Sequence, residues 1–167
     1  MSVRASYCGG FRSGVRPRGV WRDVARATSK RRMIGTVIPA GWVAGNSLHV
    51  ACYRDGDAAR TAALHALLSS FVVEAQVRAR LTTGHMSLGI VRQARVPMLD
   101  PSLIDVLSSL AYDAMNGGGL KAEHRLELAV ARAYGLTRDE MARLLDDFPK
   151  LDEGEREALI SAAAWTD

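Results

Sequence analysis

Apolar positions change period twice along this chain, and each change marks a different kind of element. Residues 33–39 (MIGTVIP) form a short β-branched run closed by proline and glycine, which predicts a strand. Residues 20–25 read as an extended partner to it, with a helical turn as the alternative, and residues 46–53 (NSLHVACY) alternate well enough for a third strand. Residues 1–18 are rich in Gly, Ser, Arg and Pro without sustained period, so a flexible lead-in is expected there.

The period then lengthens. Leu64, Leu67, Leu68, Phe71, Val72 and Ala75 share one face of a helix, so residues 57–80 predict a single long amphipathic helix capped by Asp57. Residues 86–91 return to a strand-like pattern. Beyond them the chain reads as helical. Asp100-Pro101 supplies a cap and a first-turn proline, and Gly117-Gly118-Gly119 ends that segment. A second helix spans 122–134. Thr137 and Glu140 have capping-box spacing for a third, with Met141, Leu144 and Leu145 inward, and residues 153–165 form a last one. Tyr134 and Phe148 are expected in the core, as are Trp21 and Trp42. The expected class is α+β: a small mixed sheet and a long amphipathic helix, followed by a C-terminal helical segment. The expected division is a lead-in at 1–18, a front part at 19–99 and a helical part at 100–167.

Charge changes this picture. The net +4 conceals fifteen Lys and Arg against five Asp and Glu in residues 1–100, and seven against thirteen in residues 101–167. Between Arg4 and Arg32 lie nine basic residues and one acid, Asp23. Such a front attracts a polyanion, and arginine suits bidentate contacts to phosphates and bases better than lysine does. Cys8 and Cys52 lie far apart without metal-ligand spacing, as expected of reduced thiols. No apolar run approaches the roughly 20 residues that cross a bilayer, so the expected location is the cytoplasm.

Three blocks carry a likeness. They are Val20-Trp-Arg-Asp-Val-Ala-Arg-Ala-Thr28 running into Ile38-Pro39; Asn46-Ser47-Leu48 through Thr83-Gly84-His85-Met86-Ser87-Leu88 to Arg95-Val-Pro97; and Leu128-Ala-Val-Ala-Arg-Ala-Tyr-Gly-Leu-Thr-Arg-Asp-Glu140 with Asp147-Phe148-Pro149. In order and spacing they resemble the C-terminal, target-recognition region of adenine-specific DNA methyltransferases from bacterial type II restriction-modification systems, including the single-chain restriction-methylation enzymes. The resemblance covers roughly residues 20–150. It departs from the family at Thr28-Ser29-Lys30-Arg31-Arg32, where a Thr-Asn-x-Arg-Thr-like segment is usual. It implies a bacterial specificity domain with double-stranded DNA and a methyltransferase catalytic domain as partners. The chain is then a subunit or a truncated remnant of a larger enzyme.

Methyl transfer to a flipped adenine needs an Asn/Asp/Ser-Pro-Pro-aromatic segment to hold the amine and stack on the base, and this sequence has no Pro-Pro pair. Cys8-Gly9-Gly10 follows no apolar strand, so no S-adenosylmethionine turn is expected either. No catalytic, metal or cofactor residue is therefore expected, and S-adenosylmethionine would belong to a partner or parent domain. The expected DNA contacts are Arg22 and Arg26 as phosphate clamps, and Lys30, Arg31 and Arg32 projecting from a turn. Asn46 and Ser47 either make a turn or read a base edge. Thr83, His85 and Ser87 lie on a polar loop, with Arg95 beside it. The alternative is a protein-interaction subunit that docks to a methyltransferase without touching DNA.

Overall fold

Two of the three short strands among the described residues lie close together because residue 35 carries no side chain. A Cβ on Gly35 would lie 2.2 Å from the Val20 carbonyl oxygen, so only glycine fits opposite Trp21. The computed structural model describes residues 16–26, 28–162 and 165. The lead-in expected at 1–18 lies outside the described residues as far as residue 15, and Arg18 already belongs to a strand. Strands β1 (Arg18–Arg22), β2 (Gly35–Ile38) and β3 (Leu48–Ala51) form a sheet in the order β2-β1-β3. Both pairings are antiparallel, with Trp21 opposite Gly35 on one side and His49 on the other. The mixed sheet expected from the pattern is thus antiparallel throughout. β2 and β3 share a direction, but each pairs with β1 alone, so no crossover helix is needed.

Among the described residues seven helices follow, and the fold class is α+β. The long helix expected at 57–80 is two, α1 (Ala58–Leu68) and α2 (Phe71–Arg78). Ser70 makes the break. Its hydroxyl accepts from the Val73 amide at 3.2 Å as the cap of α2 and donates to the Leu67 carbonyl at 2.7 Å. Residues 86–91 are not a strand. Ladder pairing stops at a single bridge between Val24 and His85, and Leu88–Val91 forms the short helix α3. Then come α4 (Pro101–Met115), α5 (Gly119–Ala133), α6 (Arg138–Leu145) and α7 (Glu153–Ile160). The Asp100 cap with Pro101 and the reciprocal Thr137–Glu140 capping box are both formed. Helix α7 ends at Ile160, with Ser161 as its C-terminal cap, and is shorter than expected.

The core has three parts. Trp21, Met33, Leu64, Val73, Val77 and Met86 pack between the sheet and α1–α2. Ala62, Ala63, Ala66 and Leu67 bring α1 against Leu107 and Ala111 of α4 and Val130 of α5. Phe71 meets Phe148, Met141, Leu145 and Leu159 around α2, α6 and α7. Helix α2 contributes to all three parts and α1 to the first two. Trp21 and Phe148 are buried and Tyr134 is half-buried, whereas Trp42 is 65% exposed and lies outside the core.

Candidate nucleic-acid interface

Successive side chains of β1 alternate faces, so Gly19 and Trp21 look toward α1 while Arg18, Val20 and Arg22 look away. Just past the strand, Asp23 gathers two distant segments. Its amide donates to the Ser47 carbonyl at 3.0 Å, and its carbonyl accepts from the Met86 amide at 2.7 Å. The Ala25 amide donates to the Gly84 carbonyl at 3.1 Å, completing the bridge between Val24 and His85. The Asp23 carboxylate meets Nε2 of His49 at 2.8 Å and Nδ1 of His85 at 3.4 Å. The hydrogen bond from His49 is the main reason the Asp23 carboxyl lies below its ordinary range, with His85 adding to it. The His49 ring leans on Trp21, with centroids 5.7 Å apart, and is thereby fixed from the core side.

Around this pin the structure brings together Arg22, Asn46, Ser47, Thr83, His85 and Ser87, all exposed. They come from the end of β1, the entry to β3 and the loop before α3. Arg26 is exposed next to them, in a turn closed by the Ser29 amide on the Arg26 carbonyl at 3.0 Å. Among the described residues, the guanidinium groups of Arg22 and Arg26 have no carboxylate partner. Arg95 stands apart: its side chain is exposed, but its backbone is bound to Gln76 and the Tyr134 hydroxyl.

The basic turn differs from what its sequence predicts. Arg31 does not project outward. Its Nε lies 3.0 Å from Glu74 and its Nη1 2.9 Å from Glu127, while Nη2 donates to the Ser69 carbonyl. The guanidinium also stacks 3.8 Å from the centroid of Phe71. Lys30 pairs with Glu155 of α7. Arg32 is half-buried, and its amide donates to Glu74 at 2.7 Å. The physical reason is Glu74. This carboxylate is fully buried and must be compensated, and it recruits Arg31, Arg78 and the amides of Arg32 and Met33. Burial alone would lower the affinity of the Arg31 guanidinium for its proton, but Glu127 and Glu74 outweigh it and the pKa rises. Burial raises the Glu127 carboxyl, and the Arg31 ion pair offsets only part of that. Arg78 completes the arrangement by stacking 4.4 Å from the centroid of Phe148, itself edge-on to Phe71 at 4.8 Å. Lys30 and Arg31 thus tie the turn to α2, α5 and α7.

Sequence reasoning missed Asp23 and His49 as organisers of the exposed cluster. The available signal was Asp23 itself, the single acid within a run of nine basic residues. Among the described residues there is no group of three His, Cys, Asp or Glu able to hold a metal, and no helix long and apolar enough to cross a membrane. Comparison with protein-family models, with curated proteins and with solved structures gives no match to this chain.

Proposed function

We propose that the chain binds double-stranded DNA through the sheet end pinned by Asp23, as the target-recognition part of an adenine-specific methyltransferase system. Methyl transfer from S-adenosylmethionine is the work of another domain or chain. The observation that carries the reading is the convergence of residues 22–26, 46–49 and 83–87 on one carboxylate and its backbone. Arg22 and Arg26 are the phosphate contacts, and Asn46, Ser47, Thr83, His85 and Ser87 are the polar groups offered to base edges. Lys30 and Arg31 take no part, because their charge is spent inside the fold.

The test is a duplex titration repeated across a range of salt concentrations. Two phosphate contacts predict that the double variant Arg22→Ala, Arg26→Ala lowers the slope of log K against log salt by about 2. A slope unchanged from wild type removes both assignments. The exposed apolar side chains Met98, Val106 and Leu120 favour a second reading, contact with a partner protein. Docking to a methyltransferase catalytic domain with no salt-sensitive DNA affinity would establish it.

A further inference from the structure

Strands β2 and β3 flank β1 and both run against it, so residues 39–47 must travel from one end of the sheet to the other. They do so over the face opposite α1. Arg18 and Val20 point to that face, yet each is only 3% exposed, and the Arg18 guanidinium donates to the Trp42 carbonyl. The crossing is pinned at its middle. The Trp42 amide also closes a turn on the Pro39 carbonyl at 3.4 Å, with Gly41 at a φ of 93° beside it. The backbone is therefore fixed, while the side chains of Trp42 and Val43 stand 65% and 80% exposed.

Two features say what such a projection meets. First, Arg18 is a buried cation with no carboxylate partner among the described residues, and its Nε has no hydrogen-bond acceptor there. An uncompensated charge beneath the crossing raises the potential at the surface above it and selects for an anionic partner. Second, residues 24–54 contain no Asp or Glu, and with Lys30 and Arg31 paired inside the fold the exposed Arg26 keeps its charge unpaired by any carboxylate among the described residues, so nothing in this stretch of sequence repels a polyanion. An apolar tip on a positive base is the arrangement by which proteins insert a side chain between base steps.

We propose that Trp42 is a wedge that stacks against an exposed base face of duplex DNA, with Val43 beside it and Asn46 and Ser47 reaching base edges from the same crossing. This rests on the DNA-binding reading above and adds a residue and a mode of contact to it. Extruding an adenine leaves a gap in the stack, and a planar indole is suited to fill it.

The test uses the full chain, a labelled random-sequence duplex and the same duplex carrying one abasic site. Wild type should bind the abasic duplex more tightly than the intact one. Trp42→Ala should lose that preference and weaken binding to the abasic duplex by about tenfold, with the salt slope unchanged. Trp42→Phe should retain most of the preference. Because the side chain is exposed, the thermal midpoint of Trp42→Ala should match wild type, so a folding defect would be visible as such. Equal binding of both duplexes by Trp42→Ala and by wild type overturns the wedge and leaves the DNA-binding reading standing. No salt-sensitive binding of either duplex by wild type overturns both. Shielding of Trp42 from acrylamide by a methyltransferase catalytic domain but not by DNA assigns the crossing to a protein partner and overturns the wedge.

Discussion

Replacing Arg31 by methionine separates a residue that holds the fold from one that holds DNA. Two carboxylates, Glu74 with a fully buried side chain and Glu127 with one 9% exposed, are balanced by two guanidinium groups, Arg31 and Arg78. Methionine matches much of the volume and keeps contact with Phe71, but it leaves one buried negative charge uncompensated. Breaking a buried pair by removing one partner costs about 3–5 kcal/mol. Loss of the stacking on Phe71 adds about 0.5–2 kcal/mol. For a chain of this size each kcal/mol lowers the thermal midpoint by roughly 2–4 °C, so the pair penalty alone predicts a fall of roughly 6–20 °C. Calorimetry or circular dichroism at neutral pH reads it directly. Glu127→Gln in the same background should recover at least about 1 kcal/mol, because the surplus charge is then gone. An Arg31→Met variant that unfolds at the wild-type midpoint but loses DNA affinity would refute this reasoning and return Arg31 to the surface role its sequence context suggests.

Two further outcomes follow from burial and capping. Burial pushes the His65 imidazole down from 6.5 to about 4. As pH falls, the unfolded chain is then protonated first. Stability from this group is complete above about pH 6.5 and declines to about pH 4, by roughly 3 kcal/mol; His65→Leu should flatten that window in denaturant midpoints measured against pH, and an unaltered pH profile would contradict the assignment. Ser70→Ala removes the cap of α2 and a buried hydrogen bond to the Leu67 carbonyl, at a cost of about 1–2 kcal/mol in urea unfolding. A neutral result there would mean that residues 58–78 can run as one helix at no cost.

What the chain reveals unaided depends on the range over which its causes act. The strands at 35–38 and 48–51, the Asp100-Pro101 start of α4 and the Thr137–Glu140 box of α6 all rest on neighbours within a few residues, and each is legible; the strand expected at 20–25 lies at 18–22, two residues earlier at its start and three at its end. The break between α1 and α2 was hidden, because Leu67, Leu68, Phe71 and Val72 keep the helical period across it. Residues 86–91 alternate like a strand, yet among the described residues they find no strand to pair with, so Leu88–Val91 coils instead. The basic turn is not legible locally, because the partners of Arg31 lie 43 and 96 residues away. Glu74 inside Phe-Val-Val-Glu-Ala and Glu127 inside Leu-Glu-Leu-Ala-Val were the visible marks of it. A carboxylate set in an apolar helical stripe predicts a buried cation from elsewhere. The exposed cluster was half legible: its polar members were named from the sequence, but their meeting at Asp23 depends on tertiary pairing that no local pattern encodes.

Backbone amide shifts of the isotope-labelled full chain, followed as duplex DNA is added at low salt, give the most direct test of where the molecule meets its partner. Perturbation should concentrate at residues 22–26, 42–49 and 83–87 and reverse with added salt, with the amides of 30–33 and of α5–α7 unmoved. Shifts centred on 30–33 or on the acidic helices, or none at any residue, would contradict the proposed interface.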